Sequence, residues 1–350
     1  MRVPRVRLTV RRMVVLVLYL SQVTLSAAEP PGAEKKEAVK DEDSRFGDGP
    51  MTGSVAFSPD GRTLTASSRF DCIPLRLWDA SSGAVIRRLA ELDPRVPDSC
   101  VRCVAFSPDG KLLATGDSAG TVRIGLMDSG QKVRELVGHE GFIVSVAFST
   151  DGKLLAVIDE VQKLSLWRVA TGKRLRCFPL DGLEAVLSPD GRLIASLRRK
   201  EAVSLLDATT GRELRRFWRQ RGHVFCLAFS PDSKSLASFE SDGTVRVRDV
   251  ETGRDVHRFP SYRLDLGLID ESYQHHIAFS PDGKFLAAGD ARMKLCLWDM
   301  TTGHVFRRFP KADIAYGVAF SPDGRRIASG GESIRLWSIE TGKDISRAKL

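Results

Sequence analysis

The sequence predicts an all-β fold, a seven-bladed β-propeller with four antiparallel strands in each blade. Three features recur seven times in fixed order along residues 51–350: an S-P-D-G-like turn, an apolar or aromatic position usually followed by Asp, and a glycine turn. Successive S-P-D-G-like turns lie 49, 42, 39, 42, 50 and 41 residues apart. A period of this length is typical of repeat architectures, in which one repeat alone cannot bury its apolar surface.

The S-P-D-G-like turn predicts a hairpin between the first two strands of each repeat. It begins at Ser58, Ser107, Ser149, Ser188, Ser230, Ser280 and Ser321. Proline presets the backbone of the turn, and glycine readily adopts a positive φ. The alternation of polar and apolar residues, as in 244–247, favours antiparallel strands, and no helical periodicity of useful length occurs.

The aromatic or apolar position indicates the third strand of each repeat. It is assigned to Trp78, Met127, Trp167, Leu206, Arg248, Trp298 and Trp337. Repeat 1 opens directly with an inner strand at residues 54–57, and the chain ends with a plausible outer strand at residues 344–347. We therefore expect contiguous blades and ring closure by side-chain packing between blades 1 and 7. A contribution from a short strand at residues 45–50 stays open.

The motifs A-F-S-P-D-G, L-A-S-G, T-V-R-L-W-D and T-G resemble the WD40 repeat family in its bacterial form, over residues 51–350. This resemblance implies a seven-bladed propeller that acts as a non-catalytic scaffold for a protein partner. It also implies a relay of Trp, Ser/Thr, Asp and His within a blade. His139 and His223 hold the histidine position, but Val157 and Arg248 interrupt the two relays, so we expect no complete one.

The N-terminus has the three parts of a secretory signal. Residues 1–12 are basic and residues 13–20 are apolar. Three small residues, Ser26, Ala27 and Ala28, stand at the predicted cleavage point. We expect residues 1–28 to be a signal peptide and the protein to be exported, to a periplasm or the extracellular space. Residues 29–50, rich in charge, predict a flexible linker. Contact with a membrane is expected if the signal stays uncleaved.

The charge balance does not favour a nucleic-acid partner. The formal net charge is +9, but five arginines and no acid lie in residues 1–28, which leaves 48 basic and 44 acidic residues and a net charge of +4. Arginines are frequent on the fourth strands. We interpret them as charges that keep exposed sheet edges from pairing with other sheets. We expect no nucleic-acid binding and a monomeric protein.

No motif predicts catalysis, a metal or a cofactor. Residues 116–120 match G-x-S-x-G, but they lie between two strands rather than between a strand and a helix. His275 and His276 are adjacent and would point to opposite faces of a strand, so they do not easily share a metal. The alternative function is a propeller enzyme or small-ligand binder that uses the central channel.

Cysteines and loops supply the candidate sites. Cys72 and Cys100 lie in connections that reach the same face of neighbouring blades, and in an exported protein they could form a disulfide. The other four cysteines are expected to be buried thiols. The two longest spacings between turns, 49 and 50 residues, insert extra residues on this same face, where we expect the partner to bind. The candidate residues there are Arg198, Arg199, Lys200, Tyr262, Arg263, Tyr273, His275, His276, Asp290 and Arg292.

Overall fold

A computed structural model gives the architecture of the chain. The structure describes residues 52–68, 75–89, 92, 99–180, 185–198, 202–217, 224–240, 242, 244–259, 277–289, 295–309, 317–330 and 334–346. The predicted signal peptide, residues 1–28, and linker, residues 29–50, lie outside these ranges. No helix in the described part is long and apolar enough to cross a bilayer.

Strands in chain order form one antiparallel sheet after another. Blade 1 consists of β1 (Thr52–Phe57), β2 (Thr63–Ser68), β3 (Arg76–Asp79) and β4 (Val85–Arg88). Blade 2 consists of β5 (Val101–Phe106), β6 (Leu112–Asp117), β7 (Val122–Leu126) and β8 (Lys132–Leu136). Blade 3 consists of β9 (Ile143–Phe148), β10 (Leu154–Asp159), β11 (Lys163–Arg168) and β12 (Lys173–Pro179). Blade 4 consists of β13 (Ala185–Leu187), β14 (Leu193–Arg198), β15 (Ala202–Asp207) and β16 (Glu213–Phe217).

The last three blades repeat this order. Blade 5 consists of β17 (Val224–Phe229), β18 (Ser235–Glu240), β19 (Val245–Asp249) and β20 (Asp255–Phe259). Blade 6 consists of β21 (Ile277–Phe279), β22 (Phe285–Gly289), β23 (Leu295–Asp299) and β24 (Val305–Arg308). Blade 7 consists of β25 (Gly317–Phe320), β26 (Arg326–Gly330) and β27 (Arg335–Ser338). A single bridge between Trp337 and Asp344 stands where its fourth strand is predicted. The all-β, seven-bladed prediction is confirmed.

The S-P-D-G-like turns have the same internal hydrogen bonds in every blade. The serine hydroxyl donates to the aspartate two residues later, at 2.5–2.7 Å in all seven turns. The amide two residues after each aspartate donates to the same carboxylate, at 3.0–3.1 Å. These bonds satisfy polar groups at a tight turn and hold strands one and two in register.

Blades 1 and 7 close the ring by side-chain packing, as predicted. β1 contacts β25 of blade 7 as well as β5 of blade 2. Val55, Phe57 and Trp78 form one buried cluster with Ile334 and Leu336. This cluster joins the first repeat to the last without an exchanged strand among the described residues.

Arg326 adds polar contacts to this closure. It is the first residue of β26. The equivalent second strands β6, β10 and β22 begin with an apolar residue instead. Its guanidinium donates to the Ala80 carbonyl oxygen at 3.1 Å and to the Gly61 carbonyl oxygen at 2.8 Å. Both acceptors belong to blade 1, so one side chain of blade 7 bonds two turns of blade 1.

Arginines on the fourth strands join neighbouring blades, a role that the sequence analysis missed. Four of them donate to a backbone carbonyl just before the glycine turn of the next blade. The bonds run from Arg87 to Asp128, from Arg134 to Ala170 at 3.0 Å, from Arg215 to Thr252 at 3.1 Å and from Arg307 to Glu340 at 2.9 Å. The interpretation as edge charges is therefore incomplete, because these guanidinium groups also satisfy carbonyl groups between blades.

We expect Arg326→Leu to lower the free energy of unfolding by about 1.5–3 kcal/mol, since it removes charged hydrogen bonds across the closing interface. Urea denaturation followed by circular dichroism measures the change. Arg325→Leu is the matched control because Arg325 is exposed on the same turn. Equal midpoints for the two variants would contradict a closing role for Arg326.

We expect stability to fall on acidification below about pH 4. Hydrogen bonds from the Ser81 and Ser82 groups lower the pKa of Asp79 to about 2, and hydrogen bonds from Ser149 and the Lys153 amide lower the pKa of Asp151 to about 2. A carboxylate whose pKa is depressed in the folded state stabilises the fold above its unfolded pKa. That contribution is lost as the pH falls through the folded pKa.

The urea midpoint measured between pH 5 and pH 2 tests this expectation. The double variant Asp79→Asn with Asp151→Asn should be less stable than the wild type at neutral pH and should show a shallower pH slope. An unchanged slope would exclude these two turns as a source of acid sensitivity.

Candidate functional site

The predicted binding residues lie almost entirely outside the described residues. Arg198 is the last residue of β14, at the end of the second strand of blade 4. The other nine, Arg199, Lys200, Tyr262, Arg263, Tyr273, His275, His276, Asp290 and Arg292, fall outside the described ranges. The binding site therefore stays a prediction.

Among the described cysteines, one forms a disulfide and four do not. Cys100 is buried and disulfide-bonded. Cys72 lies outside the described residues, so its pairing with Cys100 stays a prediction. Cys103, Cys226 and Cys296 are buried thiols that form no disulfide, as expected. The same expectation is wrong for Cys177, which is exposed because it lies on β12, the outer strand of blade 3.

Blades 2 and 3 show the chemistry of the predicted binding face where it is described. Asp117, at the end of β6, accepts hydrogen bonds from the amides of Ala119 and Thr121 at 3.0 and 2.8 Å. Its other oxygen accepts from Arg123, and both side chains are buried. The aspartate thus shapes the hairpin between the second and third strands, and the arginine neutralises its charge.

A pair of arginine and phenylalanine and a pair of lysine and glutamate lie near this hairpin. The Arg102 guanidinium lies 4.1 Å from the centre of the Phe142 ring. This contact joins the first strand of blade 2 to the start of blade 3. Lys163 donates to Glu140, and this bond raises the pKa of the lysine. Arginine and aromatic side chains, such as this pair of Arg102 and Phe142, are enriched in protein interfaces.

Ser118 of the G-x-S-x-G match has a structural role. Its hydroxyl accepts a hydrogen bond from the Cys100 amide at 2.9 Å, and its oxygen lies 3.1 Å from that of Ser99. The serine lies in a hairpin between β6 and β7 rather than on a strand-to-helix turn. The geometry that makes such a serine nucleophilic is therefore not present here.

The first strands present small apolar side chains at equivalent positions. These are Ala56, Ala105, Ala147, Val186, Ala228, Ala278 and Ala319, and all are partly exposed. No group of three or more metal-ligating side chains occurs among the residues that the structure describes.

Strand register aligns one position of the third strand in every blade. It holds Trp78, Gly125, Trp167, Leu206, Arg248, Trp298 and Trp337. The assignment of Met127 to this position is wrong, because Leu113 of β6 pairs with Gly125. A Cβ at Gly125 would lie 2.6 Å from Leu92, so the connection between blades 1 and 2 fills the space of the absent aromatic ring.

A second position, on the second strand, lies beside this side chain. Its residues are Ala66, Thr115, Val157, Ser196, Ser238, Ala288 and Ser329. In blade 7 the Trp337 indole donates to Ser329 at 2.9 Å, and in blade 5 Arg248 donates to Ser238 at 3.1 Å. In blades 1 and 3, where this position is Ala66 and Val157, the buried indole nitrogen has no partner among the described residues.

The relay in blade 3 is incomplete, as the sequence analysis expects. The side chain of His139 is buried, its Nδ1 lies 4.0 Å from Asp159, and both ring nitrogens lack a hydrogen-bond partner in the described part of the chain. Burial lowers the pKa of His139, which favours the neutral ring. Val157 supplies no acceptor to Trp167. His223 lies outside the described residues.

We expect Val157→Thr to raise the free energy of unfolding by about 0.5–1.5 kcal/mol, because its hydroxyl could accept the unpaired N–H of Trp167. The reciprocal variant, Ser329→Ala, should lower it by a similar amount, since it leaves the Trp337 N–H unpaired. Urea denaturation of both variants tests the pair. A loss of stability in Val157→Thr would show that the added hydroxyl is not satisfied there.

Comparison with protein families agrees with this geometry. The family model described as WD domain, G-beta repeat (WD40) matches residues 91–124, 130–157, 212–249, 271–299 and 301–338. A comparison with curated proteins gave no match. A propeller of this kind generally supports protein interaction. Five segments of this seven-bladed propeller therefore match the WD40 repeat model.

Proposed function

We propose that the protein is a non-catalytic scaffold that binds a protein partner on one face of the propeller. That face carries the connections between the second and third strands and those between consecutive blades. The observation that carries the proposal is a chemical difference between the two faces.

The opposite face is built from repeated residues with internal partners. In all seven S-P-D-G-like turns the serine and aspartate bond to each other and to the backbone of their own turn. A surface that repeats every blade and uses its polar groups internally offers little to distinguish one partner from another.

The proposed binding face differs from blade to blade. The hairpin of blade 2 has the buried Asp117–Arg123 pair, whereas that of blade 3 has Asp159 beside the buried His139. In blade 5, the carboxylate of Glu240 forms an ion pair with Arg246, whose Nε lies 3.0 Å away. Because these buried groups differ, the hairpins above them differ as well, and a face built from different hairpins can be specific for one partner.

Two further observations favour a protein partner. The equivalent positions on the first strands carry six alanines and one valine, which supply no acid, base or nucleophile at these positions. Four arginines of the outer strands bond to carbonyl groups of the next blade, so they serve the fold rather than a phosphate-binding rim. We further propose that the scaffold is exported, cleaved after residue 28, and monomeric.

Charge reversal tests the face. We expect the triple variant of Arg198, Arg199 and Lys200 to Glu to keep its melting temperature and to lose roughly tenfold in partner affinity, as expected for charges at an interface. The matched control reverses Lys111, Lys153 and Arg192, which are exposed on the opposite face. Equal capture by both triple variants would exclude the Arg198 surface.

Cross-linking in intact cells, followed by mass spectrometry, identifies the partner captured by the wild type and lost in the first triple variant. Fractionation of the same cells, with N-terminal sequencing of the mature protein, tests export. A cytoplasmic protein that begins at residue 1 would contradict export and leave the binding face unaffected.

A further inference from the structure

A slot between blades 3 and 4 is open at the place where other blades hold an indole. Its volume is about 280 Å³, which is near the lower end of the range for small-ligand sites. The residues that line it are Phe178, Pro179, Leu180, Ser196, Ser204, Leu206, Gly211 and Glu213. All of them are among the described residues.

Two equivalent interfaces show what fills this place elsewhere. Between blades 5 and 6 the rings of Phe259 and Trp298 lie 5.6 Å apart, and between blades 6 and 7 those of Phe309 and Trp337 lie 5.4 Å apart. In each case a phenylalanine at the end of the outer strand, or directly after it, packs on the tryptophan of the next blade. Both phenylalanines are fully buried, at 1% and 0% exposure.

Phe178 is the corresponding phenylalanine of blade 3, because it pairs with Leu164 as Phe259 pairs with Val245. Its partner across the interface is Leu206, which stands at the tryptophan position of blade 4. Leucine is much smaller than an indole. Phe178 is consequently only partly buried, and the slot opens beside it.

The hydrogen-bond acceptor of the indole is present as well. Ser196 holds the position that Ser329 holds in blade 7, where its hydroxyl accepts from Trp337 at 2.9 Å. Ser196 is 4% exposed, and its hydroxyl makes one long contact among the described residues, at 3.5 Å to the Leu197 carbonyl. A buried hydroxyl that is so weakly bonded lowers its free energy when it accepts a hydrogen bond from a donor.

The other interfaces without a tryptophan are filled by the chain itself. Leu92 occupies the space at Gly125 between blades 1 and 2. Arg248 occupies the position between blades 4 and 5, where it bonds to Ser238. Between blades 3 and 4 the phenylalanine and the serine remain, and a cavity takes the place of the indole.

We propose that this slot binds a small planar aromatic molecule that carries an N–H donor, of the indole type. The ring packs between Phe178 and Leu206, and the N–H donates to the Ser196 hydroxyl. Glu213, which accepts from Ser204 at 3.1 Å and pairs with Arg216, borders the slot and disfavours an anionic substituent. The site involves none of the residues on the proposed partner-binding face, so the two proposals can fail separately.

Fluorine NMR with 5-fluoroindole as the probe tests the site on the full propeller. We expect saturable broadening or shift of the probe signal with the wild type and with Leu206→Ile, which keeps the volume of the side chain. Leu206→Trp should abolish the effect and raise the melting temperature, because its own indole fills the slot. No saturable effect with the wild type at millimolar probe, or the same effect with Leu206→Trp, would overturn the proposal.

A second comparison tests the hydrogen bond between the ligand N–H and Ser196. It also tests the proposal if Leu206→Trp fails to fold. Competition against 5-fluoroindole should show that the wild type prefers indole to indene, which has no N–H, by roughly three- to tenfold. Ser196→Ala should lose this preference while it retains affinity for indene. A preference that is unchanged in Ser196→Ala would show that the probe does not bind as proposed.

Discussion

The packing of each blade against both of its neighbours is the constraint on which the structure depends. Each interface between adjacent blades holds one apolar cluster, and the described residues form seven such clusters. A four-stranded sheet with two apolar faces cannot bury both alone, so each blade is stable only between two others. The ring is complete when blade 7 meets blade 1.

Closure is the most distant of these contacts along the chain. Arg326 and Ala80, which share a hydrogen bond, are 246 residues apart in sequence. Bringing them together costs chain entropy before the interface forms, although this cost grows slowly with length. The apolar cluster around Trp78 and Leu336 offsets it, and the two bonds of Arg326 fix how the first and last blades align.

The same position in successive blades shows how repeats diverge within a fixed frame. Hydrogen bonds of the backbone preserve the register, so the space opposite each third strand has a similar outline in every blade. An indole, a leucine from a connection and a guanidinium each fill it in a different blade. Where the filling is incomplete, between blades 3 and 4, a cavity results. Divergence at one buried position thus creates a site without any change in topology.

Local patterns predicted most of the fold. The recurring turn motif predicted seven blades, and the alternation of apolar residues predicted the strand positions. The errors arose where contacts are distant in sequence. Gly125 was missed because Leu92, which fills its space, lies in a connection that no motif marks. The exposure of Cys177 was missed because its place within a strand pattern was read as burial, although β12 is the fourth and outer strand of blade 3.

The candidate site was predicted less completely than the fold. The patterns predicted a binding face, which stays a prediction, and they did not predict contacts such as that between Arg102 and Phe142 from adjacent blades. The carbonyl acceptors of the outer-strand arginines were likewise not predicted, because they lie 33–41 residues further along the chain, in the next repeat, and strand alternation does not show which side chains cross an interface.

The sequence by itself determined the number of blades, the strand order within each and the turn chemistry, since these depend on residues close together in the chain. The tertiary structure decided how the ring closes, which buried hydroxyls and indoles are paired, and where a cavity remains. Those outcomes depend on side chains from different repeats that meet at an interface, and the space between two blades is set by both of them together.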